Sequence, residues 1–254
     1  MRIGYCLSGG GVRGVAHIGA LQALKENGIE ADIISGASAG SIVGSLYAAG
    51  KSSEEMLDFV NQSSYMKIFK LGFPGKGLTN LSFLQDHLKK FIPHDSFENL
   101  QRQFMVAVSN MNTGKIEILQ TGSLTQAVVA SSSIPLVFQP VQIDDALYVD
   151  GGLMNNLPSE AIRDQCDLLI GINVMPIKEM GSKELTNIMS IGMRCFQLSV
   201  NQNMKSSSQL CDVMIVPTDL HRHSPFLLKN IDKIYQIGYD AGLEQVPAIL
   251  KLLN

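Results

Sequence analysis

The chain has no tryptophan and only four cysteines, at positions 6, 166, 195 and 211. None of the four forms a CxxC pair, so a thiolate zinc site has no spacing to build on. Four cysteines scattered through 254 residues do not make a disulfide framework either, and reduced thiols in a cytoplasmic compartment are the simplest expectation. Charge is sparse, at 17% of residues, and Lys and Arg number 20 against 23 Asp and Glu, a net charge of −3. Such a balance provides no basic surface for nucleic acid. Long apolar runs are also missing, and no stretch approaches the roughly 20 residues of a membrane-spanning helix. After Met1-Arg2 the apolar run stops at Ser8, too short for a secretory leader, so no targeting segment is expected.

What is present is apolar and rich in glycine: 45% hydrophobic residues and 23 glycines. A chain of this composition fills a large core and is not disordered. Its length suits one α/β domain of roughly 200–250 residues. No repeat, low-complexity tract or linker divides 1–254, so a single domain is expected, with a motif-bearing core over about 3–174 and a helical C-terminal part over about 183–254.

The first fifty residues alternate in a regular way. Ile3 to Leu7 reads as a buried strand, Gly9 to Gly14 as a turn, and Val15 to Asn27 as a helix stopped by Gly28. Asp32 to Ser35 reads as a second strand, Gly36 to Gly40 as a second turn, and Ser41 to Ala49 as a second helix. Strand, turn and helix in that order predict a parallel sheet covered by helices. Further on, Asn112-Thr113-Gly114 joins two strands as a hairpin, and Ser123 with Gln126 makes a capping box before another helix. A second hairpin ends at Asp150. Leu168 to Val174 and Val213 to Val216 read as strands and Leu185 to Asn203 as a long helix. Ile231 to Leu253 reads as a helix interrupted near Gly242 and Pro247.

Three motifs could carry chemistry. Gly9-Gly10-Gly11-Val12-Arg13-Gly14 matches G-x-G-x-x-G between a strand and a helix. A dinucleotide site would also need an acid at the end of the second strand; that strand ends at Ser35-Gly36, with Asp32 at the wrong end. What survives is a row of backbone N–H groups at a helix N-terminus, suited to an anion or a transient oxyanion. Gly36-Ala37-Ser38-Ala39-Gly40 is a nucleophile elbow, in which small neighbours let a serine stand in a strained turn above the sheet. Asp150-Gly151-Gly152 puts an acid at a strand's C-terminal end, where open α/β sheets place ligands, although Asp-Gly also forms ordinary turns.

Together these motifs, with Ala130-Ser131-Ser132-Ser133-Ile134-Pro135 and the run from Asp150 to Pro158, resemble the patatin-like phospholipase family. Ser8 departs from the plant members, which carry Asp there. The resemblance implies a three-layer α/β/α sandwich with a mainly parallel central sheet, and lipid acyl hydrolysis by a Ser–Asp dyad without cofactor or metal. It implies Ser38 as nucleophile and Asp150 as general base. It implies an oxyanion hole from the N–H groups of Gly9, Gly10 and Gly11, joined by Ala39. Arg13 would sit at the rim of that loop, with Gly14, Gly36, Gly40, Gly151 and Gly152 as supporting motif residues. The implied substrate is a lipid or other acyl ester of phospholipase A or lysophospholipase type. An esterase or thioesterase for smaller acyl groups and a non-catalytic partner-binding protein are the alternatives.

A Ser–His–Asp triad would need His221 or His223, in the chain order Ser, Asp, His; a solvated loop is the preferred reading of both, and His17 is expected to be packed. With no catalytic imidazole, no imidazole limb near pH 6.5 is expected in the rate profile. Residues 65–76 interleave Tyr65, Phe69 and Phe73 with Lys67, Lys70 and Lys76, a composition suited to peripheral membrane contact or a lid. Composition leaves the oligomeric state open.

Overall fold

The computed structural model describes residues 1–62, 80–177, 179–226 and 230–253. The segment 65–76, singled out above for membrane contact, lies outside them.

Eight strands form one mixed sheet. Its centre is parallel: β1 (Ile3–Leu7) lies between β2 (Ile33–Gly36) and β7 (Leu168–Ile172). β3 (Gln103–Asn110) extends it beyond β2, and β8 (Val213–Ile215) extends it beyond β7. The other three strands run antiparallel. β4 (Lys115–Leu119) and β6 (Ala146–Asp150) both pair with β3, and β5 (Val141–Ile143) pairs with β6. The central strands β1, β2 and β7 are buried along their whole length and mostly apolar, because both of their faces are covered.

Alternate residues of each strand feed two separate cores. Tyr5, Leu7, Ile34, Val106 and Ile170 point into the larger one. It is covered by α1 (Val15–Glu26), α2 (Ala39–Ala48), α3 (Ser53–Gln62), α4 (Ser82–Phe91), α5 (Leu124–Ser131) and, behind α1, α7 (Ile231–Leu253). Cys6, Ile33, Met105 and Leu169 point the other way. There they meet Leu157, Ile162 and α6 (Ile188–Gln209), which supplies Val200 and Met204. Helix, sheet and helix give the three layers expected, one thick and one thin.

Three boundaries differ from the sequence reading. The first helical residue after the elbow is Ala39, not Ser41, so Ser38 itself caps α2. α6 runs from Ile188 to Gln209 rather than over 185–203, because Asn187 and Ser190 cap one another reciprocally at its start. α7 is unbroken through Gly242 and Pro247. Its glycines serve contact rather than termination: a Cβ at Gly238 would lie 2.0 Å from the Ala16 carbonyl oxygen of α1. The two helices therefore touch backbone to backbone, and the packing outweighs glycine's weak helix propensity. Pro247 removes the donor to the Leu243 carbonyl, but Leu243 is exposed, where water can serve instead.

Candidate active site

The site is built at the C-terminal ends of β1, β2 and β6. At the end of β2, Gly36 and Ala37 lead into Ser38, whose backbone takes φ 50° and ψ −122°. That left-handed region costs a non-glycine residue about 1–3 kcal/mol and persists only where the surroundings enforce it. Two contacts do so. The Ser38 N–H donates to Ser131 Oγ at 2.9 Å, and Ser131 Oγ donates to the Ala107 carbonyl of β3 at 2.7 Å. On the other side Ser41 Oγ donates to the Ser38 carbonyl at 2.7 Å. Gly40 lies in the first turn of α2, pressed against the Leu7 carbonyl.

Asp150 ends β6 and is 1% exposed. Its backbone N–H donates to the Ser133 carbonyl at 3.0 Å, and Oδ1 accepts the Gly152 N–H at 2.7 Å. Gly151 and Gly152 begin the short 3-10 turn that follows. Oδ2 is buried and has no hydrogen-bond partner among the described residues. Burial pushes the carboxyl up to about 7, against the pull of the Ser38 hydroxyl and the Gly152 N–H, which lower it. The carboxyl and the Ser38 hydroxyl are thus close enough to act on one another. Their interaction falls short of a formed hydrogen bond at Oδ2.

The glycine loop after β1 closes the same space. Gly9 is fixed from outside: its N–H donates to the Asn156 carbonyl at 3.1 Å. A Cβ at Gly9 would come within 2.9 Å of Ser38 Cβ and 2.3 Å of Asn156 Oδ1, so only glycine lets the loop come this near the serine. Because the Gly9 N–H is engaged, it is not free to serve an oxyanion, which corrects the expectation for that residue. The Gly10, Gly11 and Ala39 N–H groups make no hydrogen bond among the described residues. Ser8 ties the loop to the end of β7, accepting the Val174 N–H at 2.9 Å. Gly14 joins the 3-10 turn Gly11–Gly14 to α1, against Ala39.

Arg13 is not at the rim. It is 6% exposed; its Nε donates to the His223 carbonyl at 2.7 Å and an Nη to the Pro176 carbonyl at 3.4 Å. Burial lowers its pKa to about 10, so it stays charged at neutral pH. It fastens the glycine loop to two C-terminal segments.

The histidines stand apart. His17 is fully buried, with Nε2 2.8 Å from the Ser8 carbonyl oxygen, and burial drops its pKa to about 4. His221 and His223 lie at the turn Thr218–Arg222 and just after it, and neither lines the space around Ser38. That space is a cleft of about 20 Å³ walled by Gly9, Gly10, Gly11, Ser38 and Asp150, with Ile134, Asn156, Met175, Phe196 and Phe226 among the other walls.

The structure therefore brings Ser38, Asp150 and the glycine loop into one cleft. Ser131, Ser133 and Asn156 are the supports that sequence reasoning left without a role. Their signal was present, since all three lie inside stretches that carry the family resemblance.

A mixed sheet with helices on both faces, and a serine at φ 50° near a buried carboxyl, define an α/β architecture with a candidate site at its strand ends. A family profile described as patatin-like phospholipase matches residues 5–162. The chain belongs to the patatin-like phospholipase family. An NTE family protein of Mycobacterium tuberculosis is 30% identical over 176 residues, 68% of this chain and 49% of that protein. Lysophospholipase nte1 of Emericella nidulans is 24% identical over 272 residues, covering 95% of this chain and 18% of that protein. The chain thus spans about half the length, or less, of these curated relatives. Among solved structures, VipD from Legionella pneumophila superposes with a TM-score of 0.61 at 16% identity, over 97% of this chain and 67% of that one. Human GIVD cytosolic phospholipase A2 gives 0.55 at 12% identity, over 99% and 59%. These two likenesses show the fold.

Proposed function

We propose that the protein is a serine lipid acyl hydrolase, of phospholipase A or lysophospholipase type, acting through Ser38 and Asp150. One observation carries the reading: Ser38 is held at φ 50° beside a buried carboxyl raised to about 7. An ordinary aspartate near 3.9 accepts a proton poorly, whereas one near 7 is matched to neutral pH.

Ser38 Oγ attacks the acyl carbon while its proton passes to Asp150. The carbonyl oxygen becomes an oxyanion, held by the N–H groups of Gly10, Gly11 and Ala39 and by the positive end of α2. The carbon–oxygen ester bond breaks, protonated Asp150 returns its proton to the leaving alkoxide, and an acyl-serine remains. Water, deprotonated by Asp150, attacks that ester, releases the fatty acid and restores Ser38. Two proton transfers in each direction leave the site as it began.

The name of the fungal relative, a lysophospholipase, supports a lipid substrate. An esterase or thioesterase for short acyl groups, using the same Ser38 and Asp150, is the second reading. A cytoplasmic location, with peripheral membrane contact, is part of this proposal; no helix among the described residues is long and apolar enough to cross a membrane.

Covalent labelling by a fluorophosphonate, mapped to Ser38 by mass spectrometry, tests the chemistry; an unlabelled, folded protein rejects it. A panel of phospholipids, lysophospholipids and short-chain esters, read as released acid, then separates the two substrate readings.

A further inference from the structure

Asn156 stands in the wall of the cleft and is 2% exposed. Its backbone is held on both sides: the N–H donates to Asn203 Oδ1 of α6 at 3.0 Å, and the carbonyl accepts the Gly9 N–H. Its amide nitrogen Nδ2 points at two acceptors, the Gly9 carbonyl oxygen at 3.4 Å and Met204 Sδ at 3.2 Å. Turning the amide over would set its oxygen against those acceptors, so the nitrogen end belongs there. Oδ1 is left at the cleft and makes no hydrogen bond among the described residues. A buried carboxamide seldom leaves its acceptor unused.

Two glycines bring that oxygen close to the reacting groups. A Cβ on Gly9 would lie 2.3 Å from Asn156 Oδ1 and 2.9 Å from Ser38 Cβ. One on Gly152 would lie 2.4 Å from Asn156 Oδ1 and 2.9 Å from Asp150 Oδ1. Oδ1 is therefore no farther from either group than two such short steps, and a single water spans about 5.6 Å between two oxygens at ordinary hydrogen-bond lengths. We infer that Asn156 is a third catalytic residue, whose Oδ1 orients the water that hydrolyses the acyl-serine. The inference rests on the acyl-hydrolase reading and adds a residue to it. Water has two O–H bonds. Asp150 takes one proton as the water oxygen bonds to the acyl carbon; the other hydrogen is donated to Asn156 Oδ1 and stays on the new hydroxyl of the product. The bond from the acyl carbon to Ser38 Oγ breaks, Asp150 returns its proton to Ser38 Oγ, and the carboxylic acid departs. An amide oxygen suits the task, because it accepts a hydrogen bond without taking the proton. The attack of Ser38 itself needs no such partner, since its hydroxyl has one hydrogen only.

That second hydrogen can be removed by experiment. Methanol offers the acyl-serine a single O–H and has nothing to donate to Asn156. With 4-nitrophenyl butyrate as acyl donor in aqueous methanol, methyl butyrate and butyrate are measured together and corrected for the Ser38→Ala background. Asn156→Leu keeps the shape of the side chain and removes the acceptor. Hydrolysis of the acyl-serine should slow about 100-fold, the loss expected when a reactant is misplaced by about 1 Å. Methanolysis should slow by no more than about threefold, the effect of the weak bond to the Gly9 carbonyl, so the ester-to-acid ratio rises about tenfold or more. Asn156→Ala, which needs less space, replaces the first variant if that one does not fold. A ratio equal to the parent's in a folded variant overturns the inference, because a purely structural role slows both acceptors alike. Fluorophosphonate labelling of Ser38 keeps the two questions apart, since it needs the serine but no water. Labelling with an unchanged ratio removes the role of Asn156 alone; a folded parent that neither labels nor hydrolyses removes the hydrolase, and the role of Asn156 with it.

Discussion

The part of the chain before residue 163 and the part after it contribute different things to one site. The first supplies every group that would touch the reacting atoms: Ser38, Asp150, Asn156 and the uncommitted N–H groups of Gly10, Gly11 and Ala39. The second supplies walls, with Met175, Phe196, Val200, Pro225 and Phe226 closing the cleft. The proposed chemistry would rest on backbone conformation and strand ends, which tolerate few residue types. The walls need only be apolar and of suitable volume, which many residue types satisfy. Reaction and fit can therefore be broken separately.

The sharpest break is at the chemistry. Ser38→Ala and Asp150→Asn should each lower ester hydrolysis by about 1,000-fold or more, the scale seen when a nucleophile or its partner acid is lost; initial rates corrected for folded protein check this. Asp150→Asn should also stabilise the fold. A carboxyl titrating near 7 when folded and near 3.9 when unfolded has stability that is fully present below about pH 4. That stability is lost as pH rises through 7, by up to about 4 kcal/mol. Asn cannot ionise, so the variant should gain most over the parent above pH 7, read from denaturant midpoints at pH 5 and pH 8.

The next effect is on the pH profile. A general base must be ionised, so the rate should fall as pH drops through about 7, the value to which burial raises Asp150. The limb resembles an imidazole limb in position but belongs to a carboxyl, and it should survive when both His221 and His223 become Ala.

Smaller effects test the supports. Ser131→Ala leaves the Ser38 N–H unpaired in a buried site, a loss of about 1–3 kcal/mol; turnover should drop roughly tenfold, with Ser131→Thr restoring part of it. Arg13→Ala should destabilise the protein by about 2–3 kcal/mol, since hydrogen bonds from a charged donor are among the stronger ones. On the reaction-and-fit division its effect is intermediate, because Arg13 joins the two parts. The smallest effect is expected from the paired His221→Ala and His223→Ala change, within about twofold in rate. A larger loss would move the base from the first part of the chain to the second.

The first part was also the more legible. Glycine and serine spacing exposed the elbow and the glycine loop because few other residues suit a backbone at φ 50° or a contact like that between Gly9 and Ser38. Asp150 was visible only through the family resemblance, since an Asp-Gly turn by itself is ordinary. The commitment of the Gly9 N–H to Asn156 could not be read, because it depends on a partner far along the chain. Gly242 misled for the same reason: local propensity forecasts a break, and contact with α1 overrides it; Pro247 is tolerated because the Leu243 carbonyl it leaves without a donor lies at an exposed position. Arg13 was placed at the rim of the loop by the resemblance; only the fold shows two distant carbonyls converging on it.

The seating of α7 on α1 has a mechanical consequence. α1 grows directly out of the loop that presents the Gly10 and Gly11 amides, and its far side rests on the Gly238 backbone with no side chain between them. The last helix thus acts as a splint: a single methyl group inserted at that seam, as in Gly238→Ala, should push the first helix aside and carry the Gly10 and Gly11 amides with it.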